Sequence, residues 1–140
     1  MSEDQRIVEL RERLAESIRI CVREQLLENF GHVSARDPES QRIFVLRHLH
    51  ERLDRVTAND FIEVNEHGKP LQGNTEPPKE VSLHAAIYRS RKDVNGIVYS
   101  HPLYSTILGV LGREIVPLLA NCTFIKSGIR VFDVPRYIGD

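Results

Sequence analysis

Glu80-Val81-Ser82-Leu83-His84-Ala85-Ala86-Ile87-Tyr88, followed shortly by Tyr99-Ser100-His101-Pro102, is the stretch on which the reading turns. The first segment leaves a loop containing Gly73, Asn74, Pro77 and Pro78, and its pattern predicts a helix to about Arg89 with the two prolines in its first turn. Glu80 and His84 lie four apart, so they share a helix face and can touch. Gly96 to Ser100 reads as a short apolar strand, and alternation over Ile97 to His101 puts Tyr99 and His101 on one face. A carboxylate at the positive end of a helix, followed by a strand that delivers an imidazole, is a common wiring for a metal-assisted lyase. Taken alone, Glu80 and His84 also read as a solvated pair, and Tyr99 and His101 as a core tyrosine beside a satisfied strand histidine.

Outward from that stretch, residues 5 to 30 predict a long helix. Ile7, Leu10, Leu14, Ile18, Cys21, Val22 and Leu26 form one apolar stripe, and Gly31 stands where a left-handed cap is wanted. His32 to Ala35 and Arg42 to Leu46 read as a hairpin around Asp37-Pro38-Glu39-Ser40. Thr57 is placed to cap a short turn at Ala58-Asn59-Asp60. Phe61 to Val64 and Lys69 to Leu71 form a second hairpin about Asn65-Glu66-His67-Gly68. Pro102 starts another helix carrying Ile107, Leu108 and Leu111. Three short β segments near 114–118, 123–125 and 129–131 follow. This order describes one α/β layered domain over residues 1–140 with a largely antiparallel sheet.

With 140 residues, 41% of them apolar, the chain has enough material for one modest core. The formal net charge of -1 gives no bulk attraction to nucleic acid or to a membrane surface. Cys21 and Cys122 form no CxxC pair and read as small apolar residues in a reducing compartment. The expectation is a cytoplasmic protein with no nucleic-acid or membrane partner. His48 and His50 flank Leu49, but charged neighbours place them in an exposed loop, and His67 falls in a turn.

Several segments together resemble the class II aldolase/adducin family. Gly31-His32-Val33-Ser34-Ala35-Arg36 looks like its Gly-Asn/His-x-Ser-x-Arg strand. Thr57-Ala58-Asn59-Asp60-Phe61, the stretch Val64 to Pro70, Glu80, His84, Ala86-Ile87-Tyr88 and the approach from Asp93 to His101 keep step with its pattern. The resemblance runs from about residue 8 to 138. It implies a layered α/β/α domain around a mostly antiparallel sheet, truncated at the C-terminus, since a further metal histidine would lie beyond Asp140. A frayed end is the plainer account of the last residues.

The resemblance further implies a metal-dependent lyase or epimerase for small oxygenated substrates, usually a homotetramer with sites between subunits. Glu80 would be the catalytic acid/base. His101 would hold a divalent metal, zinc or manganese, and Tyr99 stands where the family has another metal histidine. A neutral phenol is a poor ligand because it must lose a proton with a pKa of about 10. His32, Ser34, Arg47 and Lys79 are the candidate substrate-binding residues. Where sugar-phosphate members carry small phosphate-cradling residues, this chain has Leu46-Arg47-His48 and Pro78-Lys79. Arg47 and Lys79 suit a substrate carboxylate, and both also read as surface charge. His32 leans toward the branch of hydroxy-carboxylate and hydroxyaromatic decarboxylases. The expected activity is therefore decarboxylation or aldol cleavage of a small hydroxy-carboxylate. The alternative is a non-catalytic, adducin-like interaction or oligomerisation module.

Overall fold

Four short strands, each hydrogen-bonded to its neighbour in antiparallel fashion, lie between two helices of unequal length. The computed structural model describes residues 2–28, 31–48, 52–122, 125 and 128–132, which fall into two compact units, one up to Ser100 and one from His101 onward. In the first unit α1 (Glu3–Arg23) is followed by β1 (His32–Arg36), β2 (Ile43–Leu46), β3 (Phe61–Val64), α2 (Val81–Ser90) and β4 (Gly96–Tyr99). The sheet order is β3-β2-β1-β4. Ser34 pairs with Val45 on one side and with Ile97 on the other, so alternation is in phase across the sheet.

That phase separates two cores. On one face Val33, Ala35, Phe44, Leu46 and Phe61 pack against Ile7, Leu14, Ala15 and Ile18 of α1. Each such side chain contributes about 1.5–3 kcal/mol when fully buried. Arg11 and Arg19 of α1 add hydrogen bonds to the carbonyls of Phe61 at 2.9 Å and Val56 at 2.7 Å. On the other face Ile43, Val45 and Val64 pack with Tyr88 of α2, joined by Val81 and Ile97. The first unit is thus the layered helix, antiparallel sheet and helix that the sequence predicts.

Boundaries differ where side chains compete for the backbone. The first helix starts at Glu3 because Ser2 and Gln5 close a capping box, and it ends at Arg23, short of the expected residue 30. Gln25 turns to positive φ (57°), and the N–H groups of Leu26 and Leu27 both reach the Cys21 carbonyl. Leu27 therefore folds back into the core, whereas Leu26, read as part of the stripe, is left outside the helix. Gly31 is consequently no helix cap. Its φ is 145°, and an added Cβ would lie 2.2 Å from Leu27 Cδ2 and 2.9 Å from the Tyr99 carbonyl oxygen. Pro77 and Pro78 precede α2 instead of forming its first turn, and Glu80 is the residue that caps it. Thr57 caps the turn Ala58–Asp60 as expected, and the Asp60 carboxylate accepts from both the Thr57 N–H and its hydroxyl.

Both hairpins are present. Asp37 turns the first through bonds from the Ser40 N–H and hydroxyl; burial pushes its carboxyl up, but these bonds and the Arg6 charge leave it below its ordinary value. In the second, Asn65 Oδ1 accepts from the N–H groups of His67 and Lys69, and the return arm is a single bridge, Pro70 to Val64. The second unit holds α3 (Leu103–Val110), with Pro102 at its N-cap as expected, and a bridge between Ile115 and Ile129. The segment expected at 123–125 falls largely outside the described residues, as does the chain from 133.

Arg36 ties β1 to the end of α2. It is 3% exposed, yet donates to the carbonyls of Tyr88 (2.9 Å), Arg91 (3.0 Å), Lys92 (3.0 Å) and Val94 (2.6 Å), with its guanidinium 5.0 Å from the Tyr88 ring centre. A cation at a helix C-terminus is favourable, and here it also serves carbonyls the helix leaves unpaired. Replacing it leaves the buried Tyr88 carbonyl without its donor and removes the tie to the part-buried carbonyls of Arg91, Lys92 and Val94. Arg36→Met is expected to destabilise the chain by roughly 3 kcal/mol or more, and Arg36→Lys to recover only part, as read from urea unfolding midpoints.

Candidate active site

The polar side of β1 is His32, Ser34 and Arg36, every second residue of a strand whose other face is apolar. Opposite them α2 presents Glu80, His84 and Tyr88, every fourth residue. Two residues of strand rise about 6.6 Å and four of helix about 6.0 Å, so the two series keep step for several rungs. His32 Nε2 lies 3.0 Å from Glu80 Oε2. Ser34 Oγ lies 2.7 Å from His84 Nδ1 and 2.8 Å from the Tyr88 hydroxyl. Arg36 reaches the Tyr88 carbonyl.

Burial rises steeply along this ladder. His32 and Glu80 are 18% and 26% exposed in their side chains, so the first rung is open to a small molecule. Ser34 and His84 are 0% and 1% exposed. Burial above all lowers the His84 pKa to about 4, with the His32 charge adding to the effect and Glu80 opposing it. Burial likewise raises Tyr88 to about 12, against the bond from Ser34 and the Arg36 charge. Both groups are neutral at physiological pH. His84 Nε2 is buried without a hydrogen-bond partner among the described residues.

Of the expected site residues, the fold brings together Glu80, His32 and Tyr99. Tyr99 pairs with His32 across β1 and β4, their rings stacked at 5.9 Å between centres and 7° between planes. Glu80 contacts His32 instead of the His84 that shares its helix face. Ser34 belongs to the ladder's buried interior. Arg47 pairs with Asp60 at 2.9 Å, its side chain 49% exposed, and Lys79 is exposed immediately before Glu80. β4 ends at Tyr99, so His101 does not share a regular strand with it; His101 is exposed at the start of the second unit. His48 is half-buried, in place of the exposed loop expected, with its N–H on the Glu76 carbonyl; His50 lies outside the described residues.

Sequence reasoning missed the roles of His84, Tyr88 and Arg36. The available signal was a strand that alternates three polar residues with apolar ones, facing a helix with Glu, His and Tyr at four-residue steps.

A profile of the family described as Class II Aldolase and Adducin N-terminal domain matches residues 12–137. The chain belongs to this family. An L-fuculose phosphate aldolase of Methanocaldococcus jannaschii is 32% identical over 102 residues, covering 70% of this chain and 54% of that protein. A 3,4-dihydroxyphthalate decarboxylase of Arthrobacter keyseri is 29% identical over 134 residues, 91% of this chain and 54% of that one. Among solved structures, an L-fuculose 1-phosphate aldolase from Glaciozyma antarctica PI12 superposes with a TM-score of 0.80 at 25% identity, over 89% of this chain and 53% of that one. This class II aldolase-family chain spans about half the length of the relatives it matches.

Class II aldolases are typically dependent on a divalent metal. Among the described residues of this chain, no three His, Cys, Asp or Glu side chains converge. Tyr99 offers a phenol packed on His32, and a zinc site takes three protein ligands or more. The described residues therefore fall short of a complete donor set.

The neutral burial of His84 has a measurable consequence. Unfolded, it binds a proton below about pH 6.5; folded, it resists until about pH 4. Its contribution to stability is thus full above pH 6.5 and is lost as pH falls toward 4, a cost of roughly 3 kcal/mol. Unfolding free energies measured between these limits should fall less steeply in His84→Asn than in the wild type. Equal slopes would show that His84 titrates freely in the fold.

Proposed function

We propose that this chain acts as a class II aldolase-type, metal-dependent lyase, decarboxylating or cleaving a small hydroxy-carboxylate or a related substrate. The observation that supports this most is the Glu80 carboxylate held 3.0 Å from His32 Nε2 at the open end of an otherwise buried polar ladder. A carboxylate so placed exchanges a proton with a substrate carbon or hydroxyl, while the imidazole fixes its direction and shares its charge. Lys79, exposed and adjacent to Glu80, is proposed to receive the substrate carboxylate. Arg47 would assist on the free side of its bond to Asp60. Ser34, having no exposed surface, is proposed to support His84 instead of touching substrate.

His101 and Tyr99 are proposed as this chain's share of a zinc or manganese site whose remaining ligands lie outside the described residues; no catalytic step is derived through the metal. A homo-oligomer, a tetramer in keeping with the resemblance, is part of the same reading. Exposed apolar residues on α3, among them Leu103, Ile107 and Val110, suit such an assembly. They equally favour the second reading, an adducin-like interaction module, as does the stacking of Tyr99 on His32.

Turnover separates the two. With zinc or manganese supplied and a panel of small hydroxy-carboxylates, Glu80→Gln is expected to lower kcat by about 10²- to 10⁴-fold with KM little changed. Turnover that survives Glu80→Gln would remove Glu80 from the chemistry, and no turnover from a self-associating chain would put the interaction reading first. In calorimetry Tyr99→His is expected to tighten zinc binding. The same affinity in wild type, Tyr99→His and His101→Ala would leave neither residue a role in holding metal.

A further inference from the structure

The buried centre of the ladder contains three polar groups that the proposed chemistry does not use, and their protons can be counted. Ser34 Oγ touches both His84 Nδ1 and the Tyr88 hydroxyl, but it has one proton to give. If Ser34 donates to His84, Tyr88 donates to Ser34 and every hydroxyl proton is used. Nδ1 is then the acceptor, and the neutral ring carries its proton on Nε2. In the opposite direction Nδ1–H donates to Ser34 and Ser34 to Tyr88. The Tyr88 proton then finds no acceptor among the described residues, and Nε2 becomes an unpaired acceptor as well. The first arrangement leaves one unpaired buried group, the second leaves two.

The orphan nitrogen is the one that Ser34 does not touch, on a residue four positions after the N-cap Glu80 of the same helix. Glu80 and His32 meet on the neighbouring rung of the ladder, 3.0 Å apart. Glu80 makes no side-chain bond to the helix N-terminus it caps, so its carboxylate is not tied to the backbone there. We propose that His84 is a positioning residue: the chain Tyr88 to Ser34 to His84 locks its imidazole as the Nε2–H tautomer, a fixed neutral donor that receives the Glu80 carboxylate as it leaves His32. Glu80 then moves between two imidazole donors without entering bulk water, and the direction of that donor is set at Ser34, which never touches Glu80. This deepens the reading of Glu80 as acid/base and rests on it.

The test is nitrogen-15 NMR of the histidine-labelled 140-residue chain near neutral pH, together with the side-chain carboxyl carbon resonance of Glu80. In the wild type His84 should show a protonated Nε2 and an unprotonated Nδ1. Ser34→Ala should lower the Nε2–H share, and the Glu80 resonance should move with it. Tyr88→Phe, which removes the donor that sets the direction, gives the same two readings should Ser34→Ala not fold. A wild-type Nδ1–H tautomer overturns the proposal. So does a tautomer unaffected by these variants, or one that changes while the Glu80 resonance stays in place. Because neither reading needs turnover, failure here is distinct from failure of the lyase reading, which the Glu80→Gln assay decides.

Discussion

A strand advances about 6.6 Å in two residues and a helix about 6.0 Å in four, and this near-match is the constraint on which the first unit depends. It lets one polar edge of β1 meet one polar edge of α2 rung by rung: His32 with Glu80, Ser34 with His84 and Tyr88, Arg36 with the Tyr88 carbonyl. Because the steps differ slightly, the register drifts and holds for only a few rungs. Arg36 uses the end of that range to gather the carbonyls that α2 leaves behind. The apolar flanks, Ile43, Val45 and Val64, exclude water and so make the polar pairing strict.

The ladder is graded. At its closed end a cation satisfies backbone carbonyls, at its centre three neutral groups share two hydrogen bonds, and at its open end a carboxylate meets an imidazole. Burial fixes the charge state of the centre, since taking a protonated His84 or an ionised Tyr88 out of water costs more there than the Glu80 and Arg36 charges return. The open end alone retains a charge and access to solvent, which is where proton transfer can be of use. Gly31 guards that end from behind: its positive φ and the nearby Tyr99 carbonyl leave no room for a side chain just before His32.

Much of this architecture was legible in the residues. The stripe of α1, both hairpin turns, the helix after Glu80 and the strand ending near Tyr99 follow from periodicity and from Asp, Asn, Gly and Pro at turns. Family motifs brought Glu80 and His32 forward. What spacing could not supply was pairing between distant segments: Glu80 and His84 share a face, but nothing local says that β1 would separate them, one partner for each. Boundaries moved where a side chain intervened, as at Ser2 with Gln5. β4 is shorter than its letters suggest, because alternation continues past Tyr99 while the strand does not. The stacking of Tyr99 on His32 belongs to cross-strand geometry that a single segment does not reveal.

The central claim is that His32 and Glu80 form a coupled pair at the head of the ladder. A double-mutant cycle of His32→Asn and Glu80→Gln on the unfolding free energy tests it most directly. The account predicts a coupling on the order of 1 to 2 kcal/mol, as expected for a half-buried hydrogen bond that involves a charge. Additive effects, with coupling within about 0.3 kcal/mol of zero, would contradict it.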